Sequence, residues 1–213
     1  MSIDDLREEF LGYGNRSPEW IDKMWHPVPK TTSVDRTQFI LEQCKDKIVL
    51  NLGCVSGNLH EKIQKVAKET YGIDKEICNH GNCMRFDLDS IEVAGHGVTR
   101  TSLPIFSKEE SRPIGFDLVV LGEILEHLGN PGYLLKRLKS YECPLLITVP
   151  NAFSSAAASA LREGVESVNK AHVSWYSYHT LLTLTKRNGY ELLAFHWYNG
   201  NPLTAEGLIF LVK

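Results

Sequence analysis

Two kinds of apolar pattern alternate along this chain. Ile48-Val49-Leu50-Asn51-Leu52, Tyr71-Gly72-Ile73-Asp74 and Leu118 to Leu121 are short apolar runs that read as buried strands. Between them apolar residues recur at helical spacing. Leu59, Ile63, Val66 and Ala67 form one such stripe, with Asn58 and Glu61 placed as a cap and its partner. Leu134, Leu135 and Leu138 form another, opened by Asn130-Pro131 and carrying its basic residues late. Asp35 to Cys44 has helical character, and the last helix begins at Ser177 and ends at Lys186-Arg187-Asn188-Gly189. Tyr190 to Trp197 and Leu208 to Val212 then read as a closing antiparallel pair. The alternation predicts an α/β fold: a seven-stranded, mostly parallel sheet with helices on both faces and an antiparallel last strand. Two stretches stay open. Ser90 to Gly115 is irregular with at most a short helix, and the Ala/Ser-rich Ala152 to Asn169 suits either a helix over the substrate side or a flexible flap.

Chemistry gathers where the strands end. Phe116-Asp117-Leu118-Val119-Val120-Leu121 breaks at Gly122, and Glu123, Glu126 and His127 follow at once. Open α/β sheets bind ligands at this carboxyl edge. The first strand passes into Gly53-Cys54-Val55-Ser56-Gly57, where two glycines let the backbone approach a ligand and a helix start offers unpaired N–H groups. The second strand ends in Asp74, an acid spaced to accept the hydroxyls of a ribose.

This order of segments resembles the class I S-adenosylmethionine-dependent methyltransferases, and the resemblance spans residues 46 to 213. That family carries an acid-x-Gly-x-Gly-x-Gly turn, acids on the second and third strands, and often Phe-Asp-x-Val-Val followed by Glu-x-Leu-Glu-His on the fourth. Asn51-Leu52-Gly53-Cys54-Val55-Ser56-Gly57 fills the turn with two departures: Asn51 stands for the acid and Val55 for the middle glycine. Asp74, Asp87 in Arg85-Phe86-Asp87-Leu88, and residues 116–128 fit, and Leu145 to Asn151 matches the fifth strand and its exit. His172-Val173-Ser174-Trp175-Tyr176-Ser177 resembles a signature found before the last helix in small-molecule members. The resemblance implies a Rossmann-like fold and S-adenosylmethionine as cofactor. It places Asn51, Gly53, Cys54, Gly57, Asp74, Lys75, Asp87, Leu88, Gly122 and Glu123 around that cofactor.

Composition narrows the setting. The chain has 213 residues, 43% hydrophobic and 23% charged, which suits one domain with a modest N-terminal extension. Residues 1–45 are expected to form a helical lid or extension, either simply covering the sheet or shielding the cleft with Trp20 or Trp25, and residues 46–213 the methyltransferase domain. A net charge of −3 gives no basic footprint, so no nucleic-acid partner is expected. No apolar stretch approaches the ~20 residues that span a bilayer, and Met1-Ser2-Ile3-Asp4-Asp5 does not read as the basic-then-apolar pattern of a signal peptide. An odd cysteine count at irregular spacing points to reduced thiols and a cytoplasmic location. Nothing in the sequence encodes an oligomeric state.

The candidate catalytic residues are His172 and His127. Methyl transfer is an in-line displacement at a sulfonium carbon, so alignment and exclusion of water are the main requirements. A hydroxyl acceptor must also lose a proton, and histidine titrates in the right range. His172 is the first choice for that base, with a structural role as the alternative; His127 is read as ordering the cofactor loop. Tyr176 and Tyr178 suit packing or substrate contact. Cys78-Asn79-His80-Gly81-Asn82-Cys83 offers three zinc-type ligands without a second cluster to complete a site, so no metal is expected. The predicted function is methyl transfer to a small molecule, a hydroxyl of a sugar, natural product or related metabolite. The alternatives are a nucleic-acid or protein methyltransferase and a degenerate cofactor-binding protein. Against the nucleic-acid alternative, the chain lacks an Asn/Asp-Pro-Pro-aromatic turn and a Pro-Cys nucleophile loop.

Overall fold

The computed structural model describes residues 27–77, 79, 81–90, 107–109, 112–113, 115–201 and 204–213. The chain divides into two compact units, Met1–Lys30 and Thr31–Lys213. Trp20, Trp25, Cys78, His80 and residues 1–26 of the lid expected over residues 1–45 lie outside the described residues.

The second unit is built on one sheet. Its strands are β1 (Ser33–Val34), β2 (Ile48–Leu52), β3 (Glu69–Asp74), β4 (Cys83–Arg85), β7 (Leu118–Gly122), β8 (Leu145–Pro150), β9 (Leu192–Tyr198) and β10 (Gly207–Val212). The remaining two, β5 (Ser107–Glu109) and β6 (Arg112–Pro113), form a separate antiparallel pair. The order across the main sheet is β1-β9-β10-β8-β7-β2-β3-β4. Only β10 runs against its neighbours, β8 and β9. The predicted adjacency of the first and fourth motif strands holds, with Val49 opposite Leu118 and Leu52 opposite Leu121 in parallel register. The eighth strand is the addition to the expected seven. It is the two-residue β1, too short to carry a periodic signal, and it pairs with Trp197 and Tyr198.

Alternation along the strands sorts the core into two layers. Val49, Leu118, Val120 and Leu146 face Ile40 and Cys44 of α1 (Arg36–Cys44) and Ile63 of α2 (Leu59–Val66). Leu50, Leu52, Val119, Leu121 and Ile147 face Leu134, Leu135 and Leu138 of α3 (Pro131–Leu138) and Leu181 of α5 (Tyr178–Arg187). Residues 31–45, read from sequence as part of the extension, thus supply an edge strand and a core helix to the second unit. The Ala/Ser-rich stretch resolves into α4 (Ser155–Arg162), capped by Ser154.

Local signals explain most helix ends. Asn130 caps α3 through Tyr133 N, with proline in the first turn, and Ser177 and Thr180 form a capping box on α5. Gly189 takes the left-handed φ of +81° expected after a helix. Asn58 differs from expectation: its side chain makes no cap bond to α2. Asp117, which opens β7, is structural. Its carboxylate accepts from Ile48 N at 2.8 Å, and its own N–H donates to Ile48 O.

Candidate active site

The strand order reverses across the sheet between β2 and β7, and in open α/β sheets the carboxyl ends of strands at such a switch point are where ligands bind. On the β2 side, Gly53 sits at φ +74° and donates its N–H to Ile73 O at 2.8 Å. A Cβ at Gly53 would collide with the side chain of Ile124, so glycine is required for both conformation and space. Gly57 also lies at positive φ, in open surroundings. Asp74 ties the loop down: its Oδ2 accepts from Val55 N at 2.9 Å and its Oδ1 from Glu76 N at 3.0 Å.

The other predicted cofactor residues divide by depth. Asp87 is exposed, and its Oδ1 accepts from Asp89 N. Leu88 is half-buried against the core, and Lys75 is exposed with its carbonyl accepting from Arg85 Nε. Asn51 and Cys54 point the other way. Asn51 is only 1% exposed and its amide nitrogen lies 3.2 Å from His60 Nδ1, so its side chain sits beneath the loop. The Cys54 side chain is buried toward Cys83. Both side chains are buried from solvent.

On the β7 side, Gly122 ends the strand and Glu123 takes φ +60°, unusual for a residue with a Cβ. Its neighbours hold it there. Glu123 N donates to Thr148 O, while Glu123 Oε1 accepts from Tyr198 Oη at 2.9 Å and Thr148 Oγ1 at 3.2 Å. Arg36 Nε donates to Thr148 Oγ1 at 3.0 Å and lies 3.8 Å from Glu123 Oε1. Arg36, Thr148 and Tyr198 were not legible as site residues, because each comes from a different element and their convergence on Glu123 is set by the sheet.

A short 3-10 turn, Leu125–His127, then carries Glu126 and His127. Glu126 is 1% exposed, and neither carboxylate oxygen has a hydrogen-bond partner. Burial, and secondarily the charge of Glu123, pushes its carboxyl up to about 8. Its backbone carbonyl accepts from Val173 N and Ser174 N, which brings the His172 motif back across the turn. The two predicted catalytic histidines therefore meet: the His127 and His172 rings lie 4.6 Å apart, edge to face. His127 Nδ1 lies 3.2 Å from Ala171 O, an acceptor that fixes this nitrogen as the protonated one. Burial lowers the affinity of His172 for a proton, and His127 lowers it further, against a raising effect of Glu123. Tyr176 is buried with its hydroxyl donating to Leu125 O, a packing role.

Glu126, His127 and His172 each offer a ligand atom, all within 4.8 Å of one another. A carboxylate and two imidazoles suit a divalent cation. Sequence reasoning placed its metal test at Cys78–Cys83 and missed this group, whose members lie on two separate segments. Elsewhere, Ala152, Phe153, Ala157, Trp175 and Thr180 line a cavity of about 270 Å³ with a largely apolar wall, to which neither histidine contributes.

A methyltransferase-domain family model matches residues 24–194. The chain belongs to the class I S-adenosylmethionine-dependent methyltransferases. No curated protein matches its sequence significantly. In fold, the methyltransferase is similar to a SAM-dependent methyltransferase from Archaeoglobus fulgidus, with TM-score 0.58 and 14% identity over 83% of this chain and 94% of that one. It is also similar to the small RNA methyltransferase HEN1, with TM-score 0.59 and 14% identity over 89% of this chain but 27% of HEN1. A third similar structure is magnesium protoporphyrin IX methyltransferase from Synechocystis PCC 6803 with bound SAH, with TM-score 0.55 and 13% identity over 83% and 81% of the two chains. Among the described residues no helix is long and apolar enough to cross a membrane.

Proposed function

We propose that this methyltransferase moves a methyl group from S-adenosylmethionine to a hydroxyl of a small molecule such as a sugar, natural product or related metabolite. The observation that carries this reading is the meeting of His127 and His172 after the exit of β7. Gly53 approaches the methionine part of the cofactor, Asp74 the ribose, and Asp87 with Leu88 the adenine. Asp74 keeps lone pairs for the ribose, since each of its oxygens accepts one backbone N–H.

In the reaction the acceptor oxygen forms a bond to the methyl carbon as the carbon–sulfur bond breaks, leaving adenosylhomocysteine. The hydroxyl proton passes to His172, which its surroundings keep neutral and ready to accept it. His127, with Nδ1–H held by Ala171 O, orients that ring. The apolar wall of the cavity lined by Ala152, Phe153 and Trp175 would suit an acceptor with an apolar body. A cytoplasmic location is part of the same reading, supported by the odd cysteine count.

A second reading has a specific observation behind it. The unpartnered Glu126 oxygens, with His127 and His172, would hold a divalent cation that binds and acidifies the acceptor hydroxyl. In that case His172 is a ligand, not a base.

The test is transfer from methyl-labelled cofactor to hydroxylated sugars and phenols, to RNA and to protein, with and without a divalent ion and with chelator. Label in a small molecule supports the reading, and chelator sensitivity selects the second form. Label only in RNA or protein would overturn both.

A further inference from the structure

A second group of metal-type ligands lies beneath the cofactor loop, apart from the histidine pair. Cys54 follows Gly53 in the loop, His60 sits in the first turn of α2, and Cys83 opens β4. Their ligand atoms all fall within 4.8 Å of one another. Cys54 Sγ is 3.6 Å from Cys83 Sγ, and Cys83 Sγ is 3.5 Å from His60 Nε2. We propose that Cys54, His60 and Cys83 form a zinc site that clamps the cofactor loop to the edge of the sheet.

The spacing suits a tetrahedral ion. Bonds of about 2.3 Å to sulfur and about 2.0–2.1 Å to imidazole nitrogen give edges of roughly 3.8 Å between sulfurs and roughly 3.5 Å from sulfur to nitrogen. The surroundings make room for both sulfurs. A Cβ at Gly72 in β3 would lie 2.6 Å from Cys54 Sγ and 2.7 Å from Cys83 Sγ, so any larger residue there would displace them. His60 Nδ1 lies 3.2 Å from the Asn51 amide, whose oxygen has no other hydrogen-bond partner; turned to present that oxygen, the amide would accept from Nδ1–H and leave Nε2 unprotonated toward Cys83. This gives Asn51 a role beside the metal in place of the acid that the family pattern has at this position.

Charge also balances. Binding releases two thiol protons, and a divalent ion with two thiolates and a neutral imidazole is uncharged, which allows burial of Cys54 and His60 at 1% exposure. The site would join three elements: the loop, the helix start and the edge strand.

The experiment is cobalt titration of the full chain, reduced, chelator-stripped and kept free of oxygen. A thiolate-to-cobalt charge-transfer band should appear, saturate at one equivalent, and vanish when zinc is added. Zinc should also raise the melting temperature. Cys83→Ser, at the half-buried position, should abolish the band while keeping the circular dichroism of the fold; Cys54→Ser should do the same. Glu126→Gln should keep it, because the histidine-pair site contains no sulfur. Absence of the band in folded wild type, or its survival in both serine variants, would overturn the proposal. So would a Cys54–Cys83 disulfide whose reduction restores no metal uptake. None of these readouts uses methyl transfer, so a failure here leaves the proposed function standing, and the reverse also holds.

Discussion

Tyr198 Oη donates a 2.9 Å hydrogen bond to Glu123 Oε1, joining the end of β9 to the residue that turns the chain out of β7. Glu123 occupies a backbone conformation that few side chains adopt, and this bond, with Thr148 and Arg36, keeps it there. Buried Tyr198 resists ionisation strongly, through its burial and then the neighbouring Glu123 charge, so it stays a donor across the working pH range. Tyr198→Phe should cost about 1–3 kcal/mol in thermal or urea unfolding, the worth of a bond to a charged acceptor. Gly207→Ala offers a second check. A Cβ there would run into the Tyr198 ring, so it should reproduce or exceed the Phe variant's loss.

Asp74→Ala removes an acceptor from Val55 N and Glu76 N as well as from the proposed ribose. Adenosylhomocysteine affinity, measured by calorimetry, should fall about tenfold or more, corresponding to about 1.5–3 kcal/mol for a charge-assisted bond. Asp74→Asn should fall less, since it retains one acceptor oxygen. Equal affinity in all three proteins would remove Asp74 from the binding site.

Glu126 makes stability depend on pH in a direction opposite to most carboxylates. The folded chain keeps its proton up to about pH 8, while the unfolded chain releases it near 4.5. Between those values the folded state binds one more proton, so stability falls as pH rises, by up to about 1.4 kcal/mol per pH unit. Denaturant midpoints taken across this window should decline in wild type. In Glu126→Gln the decline should flatten.

His172→Ala should lower turnover by about 10²–10⁴ if the imidazole is the base, with cofactor affinity unchanged. The acidic limb of the pH–rate profile should sit below the ordinary 6.5, because burial and His127 both disfavour the imidazolium, and it should disappear in the variant. A variant with normal turnover on the acceptor and normal stability would exclude both catalytic and structural roles.

Much of this architecture could be read from local pattern. The β2–glycine turn–α2–β3 order is legible because buried strands and amphipathic helices have different periods, and Asp74 lies at the strand end where that order puts it. The partners of Glu123 were hidden because contact between Arg36, Thr148 and Tyr198 exists only after the sheet forms. The same holds for His127 and His172, which meet only because Glu126 O accepts from Val173 N and Ser174 N. Cysteine spacing misled in one respect: Cys83 faces Cys54 and His60, neighbours that no short motif would have grouped with it.

The position of β10 between β8 and β9 has a consequence for biosynthesis. Until residues 207–212 leave the ribosome, the β8 edge has no partner on that side, although Leu145, Leu146, Ile147 and Val149 are fully buried once the sheet is complete. A nascent chain that has made everything through β9 therefore exposes a long, apolar, unpaired strand edge, the kind of surface that templates aggregation. Stalled or prematurely terminated products should be insoluble even though every cofactor-loop residue is already present.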